Sequence, residues 1–234
     1  MRQLWVGNRK ELPGFAEDIS RRQGGQIPRT AMGLLNGQAK ECMASGKPWI
    51  YFDHAYFNRG WHNSNFRCIR NGIHLTKMLD RPTDRFKKHG VVIEPWRKTG
   101  REIVIIPPSD AQTAIYGNTM WLLETESRLC HLTDRPVVCK RSKQSALRDF
   151  LRDAWAVVTY ASVAGVEAAL MGVPVFSTEN CPSWPVNAGT LETIETPVYS
   201  EAREQWAAGL SYASWNWEEM KSIKWHDYHY ETCA

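Results

Sequence analysis

At 234 residues, with 43% hydrophobic and 23% charged side chains, the chain can build one large domain or two small ones, and it is too apolar to remain disordered. No apolar run approaches the ~18–20 residues of a membrane span, and the opening MRQLWVGNRKELPG has no signal-peptide core, so a cytoplasmic protein is expected. The net charge of +4 hides an asymmetry: residues 1–102 hold 19 Lys/Arg against 9 Asp/Glu, a balance of +10, and residues 103–234 hold 10 against 16, a balance of −6, which predicts two units with different partners, the first facing something anionic.

Met1 to Val6 reads as a first strand, and Leu12 to Arg22, with Pro13 in its first turn, as a helix. Thr30 to Leu35 fits either a short strand or a turn of helix. Asn36 to Ser45 reads as a helix stopped at Gly46-Lys47-Pro48. Trp49-Ile50-Tyr51-Phe52 is a strand, since all four residues have high β propensity. It runs into Asp53-His54, a carboxylate beside an imidazole at a strand's carboxyl end, which suits general base work.

Asn65 to Leu75 predicts a hairpin turning at Asn71-Gly72. The segment Lys77 to Arg101 is dense in basic residues, adding Arg81, Arg85, Lys87, Lys88, Arg97, Lys98 and Arg101, interleaved with Phe86, His89 and Trp96. Charge for phosphates and rings for bases make this a composition for a polyanion or single-stranded nucleic acid. Lys98-Thr99-Gly100 is the expected domain junction, dividing the chain into 1–100 and 101–234.

Glu102 to Ile106 predicts a buried parallel strand, cut off by Pro107-Pro108-Ser109. Trp121 to His131 has helical spacing in Leu122, Thr125, Leu129 and Leu132. Pro136 to Cys139 is the next strand, with Lys140, Arg141 and Lys143 at its carboxyl end, and Ser145 to Asp153 the next helix. Ala156 to Thr159 is a buried strand. Ser162 then stands where an N-cap belongs, Val163, Val166, Ala169 and Leu170 recur at helical spacing, Gly172 fits the residue after the helix, and Val173 to Phe176 is a strand again. This alternation predicts a parallel α/β sheet with right-handed crossovers, whose ligands bind outside the carboxyl ends of the strands. Thr178 to Gly189 is a loop near that edge. Glu201 to Ala213 and Trp217 to Trp225 read as helices, with Trp206, Trp215, Trp217 and Trp225 as packing residues.

Ser162-x-x-Gly165-x-Glu167-Ala168 followed by Leu170-x-Gly172-x-Pro174-Val175-Phe176 resembles the donor-binding half of GT-B glycosyltransferases, as in capsular-polysaccharide transferases and nucleotide-sugar 2-epimerases. The resemblance covers roughly residues 102–225. It implies two Rossmann-like domains, the first reduced, since 234 residues is short for that family. It further implies that Ser162 and Gly165 admit a nucleotide diphosphate, that Glu167 accepts from ribose hydroxyls, that Ser109 lines the donor site, and that Lys140, Arg141 and Lys143 contact the phosphates. The C-terminal helix would cross back to the first domain. The acceptor-side base would be Asp53, with His54 the runner-up.

The reaction implied is transfer of a sugar from a nucleotide sugar, a UDP-sugar first, with no tightly bound cofactor. The basic half argues for an anionic acceptor, for which the arginines at 59, 67, 70, 81, 85 and 97 are the contacts. A hydroxymethylated DNA base, as for phage-type DNA base glycosyltransferases, and a capsular or lipopolysaccharide precursor are the rival acceptors. An epimerase-like enzyme acting on the donor alone, and a non-catalytic nucleic-acid-binding protein on the same scaffold, stay open. The six cysteines have no CxxC or metal-ligand spacing and read as reduced; His226 and His229 read as part of a solvated tail. GxxxxGKS, GxSxG and GxGxxG are all missing, which disfavours P-loop, α/β-hydrolase and classical NAD readings.

Overall fold

The computed structural model describes residues 29–34, 37–58, 65–140, 146–216 and 218–219. The strand expected at Met1–Val6, the helix at Leu12–Arg22, His226 and His229, and nearly all of the helix expected from Trp217 lie outside them. The described chain forms two units by its internal contacts. The first takes residues up to Leu75, then Asp84–His89, then residues from Gly209 onward; the second takes Thr76–Thr83 and Gly90–Ala208.

In chain order the elements are β1 (Arg29–Met32), α1 (Gln38–Ala44), β2 (Trp49–His54), β3 (Asn65–Arg70), α2 (Asp84–Lys88), β4 (Glu102–Ile106), α3 (Asp110–Tyr116), α4 (Trp121–Leu132), β5 (Val137–Cys139), α5 (Leu147–Phe150), β6 (Ala154–Thr159), α6 (Ala164–Leu170), β7 (Val175–Ser177), α7 (Arg203–Tyr212) and β8 (Ser214–Asn216). Among the described residues no helix is long and apolar enough to cross a membrane.

The sheet of the first unit has the order β1-β2-β3-β8. Only β1 and β2 are parallel; β3 runs antiparallel to β2, and β8 antiparallel to β3. It is therefore a mixed sheet, in which the expected α/β character is kept but only one strand pair is parallel. Trp49, Ile50, Tyr51 and Phe52 are all buried, as a strand covered on both faces demands. The expected hairpin is absent. Asn71 does turn the chain, with φ of 55°, but its side chain accepts from the Trp49 N–H at 3.0 Å and no strand follows. Residues 73–75 satisfy their backbone through side chains instead: Ile73 C=O accepts from Arg67 Nε, and Leu75 N–H donates to the Tyr56 hydroxyl. The far edge of β3 is taken by β8, with Phe66 opposite Trp215.

The sheet of the second unit is wholly parallel, in the order β5-β4-β6-β7. Ile103, Ile105, Ala156, Val158 and Phe176 point to one face and form a core with Leu129 of α4 and Ile194, the helix face expected from its spacing. The alternate residues face the other way, where α6 packs with Gly165 close to Thr159. Helices thus cover both faces of a parallel sheet, the α/β architecture read from the alternation.

The turn after α6 has the geometry foreseen for Gly172. Its φ is 75°, Gly172 N–H donates to Ala169 C=O, and Val173 N–H donates to Ala168 C=O, the paired bonds of a Schellman motif. Helix α2 was not foreseen, and two further elements escaped the sequence reading. One is α3, closed at its N-terminus by a reciprocal Ser109–Gln112 capping box. The other is β8. Helix α5 is a single turn, where a nine-residue helix was expected.

The chain joins the second unit before the anticipated junction at Lys98–Gly100. Residues 94–97 are already stitched there: Glu94 N–H donates to Leu170 C=O, Arg97 N–H to Gly172 C=O, and Trp96 Nε1 to Ser200 C=O. Arg203 lies 3.8 Å from the Trp96 ring centre and donates to the carbonyls of Glu94 and Ala169.

Candidate functional site

In the second unit the strand order reverses between β4 and β6, since β5 follows on one side of β4 and β6 on the other. Loops after the strands at such a reversal diverge and leave a crevice for ligands. Here those loops are 107–109 and 160–163. Thr159 Oγ1 donates to Ile106 C=O at 2.8 Å, and Gln112 Nε2 donates to Ala161 C=O at 2.8 Å. Ser109 and Ser162 therefore sit on neighbouring loops at the carboxyl edge. Tyr160 anchors an aromatic group there, with its ring 5.4 Å from Tyr116 and 5.7 Å from Trp121.

The anticipated donor residues have structural duties, of which the capping by Ser162 was expected and those of Ser109 and Gly165 were not. Ser109 caps α3 through Gln112. The Ser162 hydroxyl accepts from Ala164 N–H at 3.2 Å, closing the entry to α6 two residues earlier than its first helical residue. Gly165 is buried, and a Cβ there would stand 2.8 Å from Ser183 Oγ, 3.2 Å from Thr159 Cγ2 and 3.3 Å from Cys181 Sγ. The space in front of it is thus filled by protein, and its smallness serves packing rather than the approach of a diphosphate. Glu167 is half-buried in the first turn of α6. Lys140 follows β5, with its ammonium 4.6 Å from the Phe150 ring centre. Arg141 and Lys143 lie outside the described residues.

A cavity of about 530 Å³ opens at the same carboxyl edge, on the α4 side of the sheet. Its floor is Val158, Thr159, Phe176 and Ser177 from the ends of β6 and β7; α4 supplies one wall, and the loop from Thr178 to Glu192 another. The loop lies, as expected, beside the carboxyl ends of the strands. Among the described residues, none of the anticipated donor residues lines the cavity. Its helical wall, Trp121, Glu124, Thr125 and Arg128, follows the i, i+3, i+4, i+7 rule. The sequence did carry that stripe, adjacent to the Leu122–Leu129 core stripe, but its mixed chemistry hid it behind the apolar one.

In the first unit Asp53 and His54 end β2, as read. Asp53 is held by three donors: the Tyr51 hydroxyl at 2.7 Å, the Arg67 guanidinium at 2.8 Å and the His54 backbone N–H at 2.8 Å. Burial alone would raise its pKa, yet the Arg67 charge and the Tyr51 and His54 hydrogen bonds outweigh it and hold the carboxyl below the usual range. A carboxylate so stabilised is a weak base. Burial raises the Tyr51 phenol well above its ordinary value, with Arg67 opposing and Asp53 adding to the rise.

The six arginines assigned to an acceptor divide. Arg67 is 3% exposed and spends its donors on Ile73 C=O, His54 C=O and Asp53, so it is an internal strut and cannot reach an acceptor. Arg85 chelates Glu219 at 2.9 and 3.1 Å, donates to Ser211 and Ser214 carbonyls, and lies 4.1 Å from the Trp215 ring centre. Arg97 donates to the carbonyls of Leu151 and Arg152. Both are fixing residues within their own units. Arg70 and Arg81 are half-buried, and Arg59 lies outside the described residues. Among the described residues no group of three or more His, Cys, Asp and Glu is placed to hold a metal ion. No family model matches the chain, and no curated protein matches it.

Proposed function

We propose that the protein is a glycosyltransferase whose second unit binds a nucleotide sugar. The observation that supports this most is the reversal of strand order between β4 and β6 in a parallel sheet, which brings the Ser109 and Ser162 loops together at the carboxyl edge. In this reading the donor's diphosphate meets the loops after β4, β5 and β6, including Lys140, and Glu167 accepts from the ribose. His54 takes the acceptor's proton, because the Asp53 carboxylate is committed to three donors. Asp53 serves as a positioning residue, fixing Tyr51, Arg67 and the end of β2. The acceptor is an anion, for which the +10 balance of residues 1–102 is the support, and a hydroxymethylated DNA base is the first choice.

A second reading, an enzyme that acts on the donor alone, draws on one observation. The cavity carries Glu124, Glu179 and Glu192 within the second unit itself, and carboxylates are the groups an epimerase-like reaction needs for proton transfer.

The test is a thermal-shift panel of UDP, GDP, CMP, ADP and dTDP, with and without a sugar, on the wild-type chain and Glu167→Ala. A ligand that binds only the folded state at a hundred times its Kd stabilises by about 2.7 kcal/mol. One nucleotide raising the Tm of the wild type and not of the variant supports the donor site. No shift with any nucleotide overturns it.

A further inference from the structure

The cavity beside α4 has a chemistry of its own. Its walls combine aromatic faces with hydrogen-bonding groups: Trp121 and Trp184 stand at the sides, Phe176 at the floor, and the hydroxyls of Ser177, Thr178 and Thr190 between them. Trp184 is 42% exposed, an uncommon placement for so large an apolar ring. The volume of about 530 Å³ falls in the range of small-molecule sites, roughly 300–1,000 Å³.

Charge decides the ligand. Three carboxylates, Glu124, Glu179 and Glu192, face one cation, Arg128. Arg128 is in an ion pair with Glu192, so its charge is already met. The side-chain carboxylates of Glu124 and Glu179 have no hydrogen-bonding or ionic partner among the described residues. A phosphate or a carboxylate entering here meets uncompensated negative charge. A polyhydroxylated ring meets acceptors for its hydroxyl groups and flat apolar faces for its C–H bonds.

We propose that this cavity binds a neutral or amino-substituted pyranose and rejects anionic sugars. The Trp184 and Trp121 rings pack on the sugar's C–H faces, and the free carboxylates of Glu124 and Glu179 accept from its hydroxyls or its ammonium group. The naming of a sugar rests on the nucleotide-sugar reading, and the inference adds which sugars that donor carries: hexoses or hexosamines, not hexuronic acids.

The experiment uses the full chain labelled with ¹⁵N, reading the indole N–H signals of Trp121 and Trp184, assigned by single Trp→Phe variants. Methyl glucoside, glucosamine, glucuronate and inorganic diphosphate are titrated separately to about 100 mM, a range that reports the weakest specific affinities. Methyl glucoside and glucosamine move both signals. Glucuronate binds at least about fivefold more weakly than methyl glucoside, the factor a like charge a few ångströms away imposes in water. In Glu124→Gln/Glu179→Gln, two exposed positions whose exchange leaves the fold intact, that difference falls to about twofold or less.

Glucuronate or diphosphate moving the two signals as strongly as methyl glucoside overturns the proposal, as does silence from both neutral and amino sugars. Silence here together with a nucleotide thermal shift overturns the cavity assignment and leaves the donor reading standing. Sugar shifts without any nucleotide shift support the cavity and overturn the donor reading.

Discussion

Asp53 and Arg67 show how one pair can carry both the strongest local electrostatics and a purely internal duty. Arg67 is enclosed, and each of its donating nitrogens has a carbonyl or carboxylate within 3.1 Å. Removing Arg67 leaves the Asp53 carboxylate, 23% exposed, without its counter-charge; water reaches it, so the loss falls below the roughly 3–5 kcal/mol of a fully buried pair, to about 2 kcal/mol. Arg67→Met is therefore expected to lower the urea midpoint by that equivalent, and Arg67→Met/Asp53→Asn to recover part of the loss. The pH dependence has a definite sign. The folded carboxyl of Asp53 sits below its unfolded value, so its contribution is complete above the unfolded pKa and disappears as pH falls through the folded one. The stability gap between wild type and Asp53→Asn should be constant at neutral pH and close in the acid range below about pH 4, as urea melts at stepped pH will show. The adjacency of Asp53 and His54 was plain in the sequence. That the carboxylate is neutralised by a residue fourteen positions on was not, because β2–β3 register places Asp53 opposite Arg67 and register is a property of the paired strands.

At the level of elements, a glycine within α6 and one in the turn after it make different predictions. Gly172 has a left-handed backbone, and a Cβ there would stand 2.0 Å from the Pro95 carbonyl oxygen. Backbone cannot yield as a side chain does, so Gly172→Ala combines strain of about 1–3 kcal/mol with a clash. Gly165 has ordinary helical geometry and meets a hydroxyl and a thiol. Gly165→Ala is expected to cost about 1–3 kcal/mol by overpacking, with Gly165→Ala/Ser183→Gly milder because the nearest atom is gone. Calorimetric Tm values of the three variants test the order. The pattern that located this helix also located its Schellman turn, since both follow from local chemistry. The hairpin at Asn71 was misread for a non-local reason. Its turn signal is real, but the edge a returning strand would occupy belongs to β8, which arrives from residue 214. Ser109→Ala belongs here too: it removes the cap of α3 and should cost about 1 kcal/mol, a loss visible in thermal melts without any nucleotide.

For the whole molecule, the alternation of strand and helix patterns from Glu102 to Ser177 was enough to read a parallel sheet, because every connection there is local. The mixed sheet of the first unit was not legible: it is assembled from residues 29–70 and 214–216, and no short-range pattern joins them. The charge asymmetry was legible as a number but not as a surface. Arg67, Arg85 and Arg97 account for part of the +10 half and are all turned to internal carbonyls or carboxylates. The field of the first half toward a polyanion must then come from solvated cations such as Lys87 and Lys88, both exposed at the last turn of α2. If a hydroxymethylated duplex is the acceptor, each phosphate contact contributes about 0.9 to the slope of log K against log salt. Lys87→Ala or Lys88→Ala is expected to reduce that slope by roughly 1 wherever the lysine meets a phosphate. Arg85→Lys, which keeps the charge but loses the bidentate grip on Glu219, should leave the slope unchanged while lowering the melting temperature. Fluorescence anisotropy on a labelled duplex across a salt series separates the two, and a slope that falls with Arg85→Lys and not with either lysine variant would place the acceptor surface elsewhere.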